Sequence, residues 1–302
     1  MQSLKFVTLA YPGRSISKTL LLLASLEKFG GELAENPVWV FFPEALGEFS
    51  EKETASLKGL GAKLLPCAAD EELLKFPLGL KVQAAAAAEK LAVERSDLLA
   101  WLDEDTLILS PLEEFCLPEG KFLAFRPVHH KLLGTSWGEE LDAFWQMVYR
   151  HCGASPESDF QMETHVGEII RPYFNAGQFV VRPDRGILSH WWDTFQAYYR
   201  DAPYRPYYEK DPLFAIFMHQ AIFTGTILGA LDQEELQLLS PSINYPLHLH
   251  QEIPASRQAR RVDDLVTVRY ENVLFEPGWQ EKYPFSGELA GWITSCLNQF
   301  VI

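Results

Sequence analysis

Blocks of consecutive apolar residues, each closed by glycine, proline or a charged turn, set the rhythm of the first 115 residues. Residues 6–10, 38–42 and 98–102 read Phe-Val-Thr-Leu-Ala, Val-Trp-Val-Phe-Phe and Leu-Leu-Ala-Trp-Leu. Runs of this length with almost no polar alternation predict strands covered on both faces. A shorter strand is expected at 62–65. Helical patterns separate them: an apolar run at 19–26 behind Ser17, a candidate N-cap, then 51–60, then 81–90 with its run of alanines. The last has the strongest helix propensity in the chain and reads as a close-packed helix face. Strand and helix alternating in this way predict a parallel sheet with helices on both faces.

The second half is less regular. Strands are expected at 122–125, at 174–181 and over Leu265 to Asn272, and helices at 141–149, 189–198 and 212–228. Residues 202–208 form a proline-aromatic loop. His248 and His250 alternate with Leu247 and Leu249, which predicts a shared strand face, solvated or ligating. No solenoid repeat and no Gly/Ser linker divides the 302 residues, so residues 1–302 are expected to form one domain with halves at 1–115 and 116–302.

Composition narrows the function classes. With 47% hydrophobic and 22% charged residues the chain is globular, and its formal charge of -15 argues against binding a nucleic-acid backbone. No apolar run is expected to span a membrane, and the N-terminal apolar stretch is too short for a signal peptide. Cys67, Cys116, Cys152 and Cys296 match no zinc spacing. A cytoplasmic protein with reduced thiols is the expectation.

The candidate chemistry sits behind the strand at 98–102, where Asp103-Glu-Asp105 is followed by more apolar residues. Carboxylates at the end of a buried strand are costly unless a cation or hydrogen bonds compensate them. Two such acids suit a hard divalent ion that also holds substrate phosphates. The plain alternative is a strand end with a capped turn.

The segment Trp101-Leu-Asp-Glu-Asp-Thr-Leu-Ile-Leu-Ser-Pro-Leu-Glu-Glu-Phe115 resembles the Asp-x-Asp segment of nucleotide-sugar glycosyltransferases with the GT-A fold, closest to the glycogenin and lipopolysaccharide galactosyltransferase group. Collinear likenesses follow at Tyr173-Phe-Asn-Ala-Gly-Gln-Phe-Val-Val-Arg-Pro183, at His219-Gln220 and at Ile243-Asn244-Tyr245-Pro246, and together they cover nearly the whole chain. The resemblance implies an α/β fold of the GT-A type, a mixed, mainly parallel sheet flanked by helices. It implies transfer of a sugar, with uridine as the expected base, to a glycan, lipid or small-molecule acceptor. Mn2+ or Mg2+ would sit at Asp103 and Asp105, with Asp105 bridging to the diphosphate. Tyr11, Arg14, Asp103, Glu104, Asp105, Ala176, Gly177 and Arg269 would bind nucleotide or sugar. Asn175, His219 and Gln220 would line the reacting centre.

Two departures matter. Arg269 stands where the group has a metal-binding histidine, and His219 where it usually has aspartate. The first leaves three readings: two acids plus water hold the metal, His248 or His250 reaches in, or metal binding is lost. An arginine there can itself pair with diphosphate, since its fork matches those oxygens. An inverting enzyme would need a carboxylate base, for which Glu163, Glu209 and Asp211 are candidates. Two rivals stay open. One is a degenerate binding protein whose Trp191, Trp192 and Tyr204 to Tyr208 stack on sugars. The other is a haloacid-dehalogenase phosphatase with Asp103 as nucleophile, for which no later Gly-Asp-x-x-x-Asp segment is present.

Overall fold

The computed structural model describes residues 2–35 and 37–300. The first half runs β1 (Leu4–Leu9), α1 (Ser17–Phe29), β2 (Val38–Pro43), α2 (Glu51–Gly59), β3 (Ala62–Cys67), α3 (Glu71–Lys75), α4 (Gly79–Ala92), β4 (Leu98–Leu102) and β5 (Thr106–Ile108). Then come β6 (Leu123–Pro127), α5 (Ala143–Cys152), β7 (Met162–Glu163), β8 (Ile169–Ile170), β9 (Phe174–Val181), α6 (Ile187–Tyr198), α7 (Arg205–Lys210) and α8 (Pro212–Ala230). The chain closes with β10 (Leu236–Leu238), β11 (Tyr245–Pro246), β12 (Thr267–Arg269), α9 (Trp279–Lys282) and α10 (Gly287–Gln299).

A seven-stranded sheet in the order β10-β6-β9-β4-β1-β2-β3 forms the centre. β4, β1, β2 and β3 are mutually parallel, as are β6 and β10, while β9 runs antiparallel to both of its neighbours. Successive side chains of a strand point to opposite faces, and the core divides accordingly. Val7, Leu99, Trp101 and Phe179 pack with α4, α5, α6 and α8 on one face. Phe6, Ala100, Leu102 and Val180 pack with α1 and α10 on the other. The chain travels outward from β1 to β3 and then returns to β4 on the far side of β1. Crevices beyond the carboxyl ends of strands at such a reversal are where open α/β sheets take ligands. A small sheet, β11-β12-β5, joins this edge, with Arg269 opposite Thr106.

Several local expectations change. Ser17 begins α1 without capping it, and its hydroxyl donates instead to the Phe300 carbonyl at 2.8 Å. The strand expected from Leu265 to Asn272 shrinks to β12, because Tyr270 and Glu271 already turn, Glu271 at φ 48°. His248 lies on a 3-10 turn at Leu247–Leu249 and His250 caps its end, not on a strand, since only the two residues before the turn pair with β12. Residues 202–208 are helical rather than a loop. Trp191 and Tyr204 are fully buried, and Trp192, Tyr207 and Tyr208 pack against the same core, so these aromatics fill the interior instead of offering stacking platforms. α8 is long and apolar enough to cross a membrane by length and composition, with mean hydropathy 1.5, contrary to the expectation of no such run. Here it is a core helix, buried continuously from Met218 to Leu228.

The contact of α8 with α5 is set by two glycines. A β-carbon on Gly229 would lie 2.3 Å from the Cys152 carbonyl oxygen, a backbone atom that cannot swing aside. Overpacking of this sort costs about 1–3 kcal/mol. Gly229→Ala should therefore lower the urea-unfolding free energy by about that amount, and an unchanged midpoint would disprove the close approach.

Candidate active site

Asp103 follows β4 directly, and its N–H donates to the Gly177 carbonyl of β9 at 2.9 Å, which fixes where the strand stops. Trp101 shares its face, and the indole N–H donates to Asp103 Oδ1 at 2.8 Å. Lys81, in the first turn of α4, puts Nζ 2.6 Å from the same oxygen. Arg269, from β12, reaches Asp103 Oδ2 at 2.7 Å with one terminal nitrogen and Asp105 Oδ2 at 3.3 Å with the other. The Lys81 side chain is 3% exposed and that of Asp103 17%. Burial alone would raise the Asp103 carboxyl, but Lys81 and then Arg269 outweigh it and hold the group well below the usual carboxylate range. Burial lowers Lys81 and would lower Arg269. The facing acids Asp105 and Asp103 reverse this for Arg269, which is held above its ordinary value.

A cleft of about 250 Å³ opens beside this cluster. Its walls include Lys81, Asp103, His129, His130, Asn175, Gly177, His219, Gln220, His248, Arg269 and Glu271. Two primary amides in it are oriented by the backbone of β9. The Gly177 N–H donates to Asn175 Oδ1 at 2.7 Å and the Ala176 N–H to Gln220 Oε1 at 3.0 Å. With both carbonyl oxygens engaged, N–H groups of the two amides are the donors left for a ligand, beyond the one Gln220 turns toward the buried Tyr173 hydroxyl. His219 Nδ1 lies 2.9 Å from the Ile216 carbonyl, so that nitrogen carries the proton and Nε2 is an acceptor. Burial, with Lys81 nearby, pushes His219 down to about 3. It is a neutral imidazole and does not reproduce the charge of an aspartate. Leu78, Leu132 and Glu271, all on the cleft wall, have left-handed backbones at φ 56°, 45° and 48°. Strain of this kind persists where the surroundings over-determine it, commonly at ligand sites.

The expected residues divide into three groups. Asp103, Asn175, Gly177, His219, Gln220 and Arg269 line one cleft. Tyr11, Arg14, Glu104 and Asp105 flank the same strand ends without lining it. The Arg14 guanidinium lies 4.6 Å from the Tyr11 ring centroid, and burial first, then Asp105 and Asp103, raises Glu104 to about 7. Ala176 is fully buried in the core and does not line the cleft, although its N–H holds Gln220. Of the suggested bases, Asp211 caps α8, Glu163 pairs with Arg257 at 2.6 Å and Glu209 sits exposed on α7. None lines the cleft; the carboxylate there besides Asp103 is Glu271, 3.4 Å from His248 Nε2. A larger cleft of about 740 Å³, lined by Arg126, Glu163, His165 and Tyr245 among others, contains none of the expected donor-binding residues. Lys81, His129, His130 and Glu271 were not foreseen. A lysine in the first turn of a helix, ahead of an alanine run, opposes the helix dipole, and that was the available signal for Lys81.

A divalent ion does not fit this donor set. Both Asp103 oxygens and one of Asp105 are already engaged by cations or an indole N–H, and Asp105 Oδ1 is enclosed without a partner. Among the described residues no group of three or more His, Cys, Asp or Glu side chains is arranged to hold a metal.

Breaking one side of a buried ion pair costs about 3–5 kcal/mol, because the remaining charge is stranded. Lys81→Met should lose about that much, while Lys81→Met combined with Asp103→Asn should lose less than the sum of the single changes. Additive losses in urea unfolding would show that the pair is not coupled. His219 gives a pH prediction. Unfolded, it binds a proton near 6.5, and folded, near 3. Between those values the unfolded chain holds the extra proton, so stability falls on acidification across that window. His219→Asn should flatten that fall between pH 7 and 4.5, and a folded-state imidazole resonance titrating near 6.5 would reject the assignment.

Residues 6–213 match the Rhodobacterales glycosyltransferase domain. A search of curated protein sequences returned no significant match. Among solved structures, the galactosyltransferase LgtC in complex with donor and acceptor sugar analogues superposes with a TM-score of 0.56 at 15% identity, over 99% of this chain and 96% of that one. An active-site mutant of LgtC gives 0.55 at 15% identity with the same coverage. At such identity the likeness shows the fold alone, which is GT-A. The family match spans more than half of the chain and sets the phosphatase reading aside: the protein belongs to the Rhodobacterales glycosyltransferase domain family.

Proposed function

We propose that the protein moves a sugar from a nucleoside diphosphate sugar, with uridine as the first base to try, to an acceptor hydroxyl in the cleft beside Asp103. Family membership and the GT-A fold support sugar transfer, and a donor and an acceptor analogue occupy the similar galactosyltransferase. The observation that carries the reading is the pair of amides, Asn175 and Gln220, held by the backbone of β9 with donors left for sugar hydroxyls. Arg269 and Lys81 meet the charge of the diphosphate as the bond to the sugar breaks, the electrostatic role that dominates such transfers. The turn from Tyr11 to Arg14 borders the base and ribose. The neutral His219 imidazole accepts a hydrogen bond from a sugar hydroxyl at Nε2. Glu271, paired with His248, is the carboxylate available to an acceptor. Arg269 and Lys81 meet the diphosphate charge without the divalent ion that GT-A enzymes commonly use.

The test is release of nucleoside diphosphate from a panel of uridine and guanosine diphosphate sugars, with water or simple glycosides as acceptor. Turnover is expected with at least one donor, and Asn175→Ala should cut it by about a hundredfold with nucleotide affinity little changed. Nucleotide binding without turnover from any donor would favour the non-catalytic, degenerate reading.

A further inference from the structure

We propose that this chain receives the diphosphate of its donor without a divalent metal ion, the Arg269 guanidinium standing in the position from which an ion would bridge the two carboxylates. The inference rests on the transferase reading and specifies how that cleft holds its ligand.

The geometry of the cluster carries it. Arg269 spans Asp103 and Asp105 with its two terminal nitrogens, at 2.7 and 3.3 Å. The span is fixed by backbone: β12 pairs Arg269 with Thr106, and the next N–H, of Tyr270, donates to the Asp105 carbonyl at 3.0 Å. Lys81 and Trp101 take the remaining Asp103 oxygen. Of the four carboxylate oxygens, Asp105 Oδ1 alone has no partner, and it is enclosed. A hard divalent ion gathers about six oxygens. Here it would have to evict the guanidinium and then sit beside it and a buried ammonium, all of like charge in a poorly screened site.

The same arrangement suits a diphosphate. Two acids face two bases, so the approaching ligand meets no uncompensated pair of carboxylates. A guanidinium has five N–H groups in a planar fork that matches neighbouring phosphate oxygens, and Arg269 faces the cleft. Gly177 makes room for it: a β-carbon there would come within 2.3 Å of the Arg269 nitrogen that holds Asp103.

Calorimetry on the full chain, with inorganic pyrophosphate and with uridine diphosphate as probes, tests this in excess chelator and in added Mn2+. Affinity should agree within about twofold between the two conditions. Arg269→Lys, which keeps the charge and loses the fork, should weaken both probes by about tenfold whether or not Mn2+ is present. Arg269→His shortens the side chain and adds an imidazole beside two freed carboxylates. It should acquire a Mn2+ signal by electron paramagnetic resonance, and a rise in Tm with Mn2+, that the wild type lacks. Wild-type affinity for pyrophosphate that disappears in chelator and returns with Mn2+ would overturn the proposal, as would tight Mn2+ binding by the wild type. Pyrophosphate bound in chelator through Arg269, with no nucleoside diphosphate bound under any condition, would support the anion site and fail the transferase reading instead.

Discussion

A carboxylate buried at the end of a central strand has to be neutralised, and much of this structure is arranged around doing so for Asp103. The cations come from distant parts of the chain, Lys81 from α4 and Arg269 from β12. The strand itself contributes Trp101, whose indole N–H is a neutral donor to the same group. Each partner is held by a different element. The cluster therefore exists only when α4, the main sheet and the small sheet are assembled together, and its charges fix their relative positions.

α4 does this at both of its ends. Lys81 enters the cleft in its first turn, and Glu89, near its last, accepts the Leu188 and Ser189 N–H groups at 2.9 and 2.7 Å. Those are first-turn donors of α6, which have no partner within their own helix. Burial raises Glu89, while the two backbone donors work against it, and the group lies at the positive end of a helix dipole. The alanines between the two charged residues let α4 lie close enough to the sheet and to α6 for both to reach.

The repeating part of the fold was legible in the sequence because its signal is local. Residues 98–102 announce a strand buried on both sides, and they form one with those bounds. The direction of β9 was not legible, since a strand of eight buried residues reads the same whichever way its neighbours run. Asp103, Asn175 and Gln220 stood out by residue type and order, and Arg269 by breaking a pattern. Lys81 hid in an alanine run. Asp103, with Lys81, Arg269 and Trp101 on its two oxygens, is more heavily engaged than Asp105. That difference depends on side chains from distant segments, which no spacing along the chain encodes. Ala176 stood out by the same motif, and motif likeness does not say whether a side chain meets a cleft or the core.

Gly177 and Arg269 have one further consequence, for how such a sequence can drift. With arginine at 269, any side chain at 177 meets the guanidinium nitrogen that holds Asp103 and pushes it aside. With a shorter residue at 269, the bare position at 177 leaves unfilled space beside the acids. The coupling runs one way: residue 177 is constrained while the arginine is present and is released once the arginine is gone. A lineage that changed its way of holding phosphate would therefore alter 269 first and 177 afterwards, in that order.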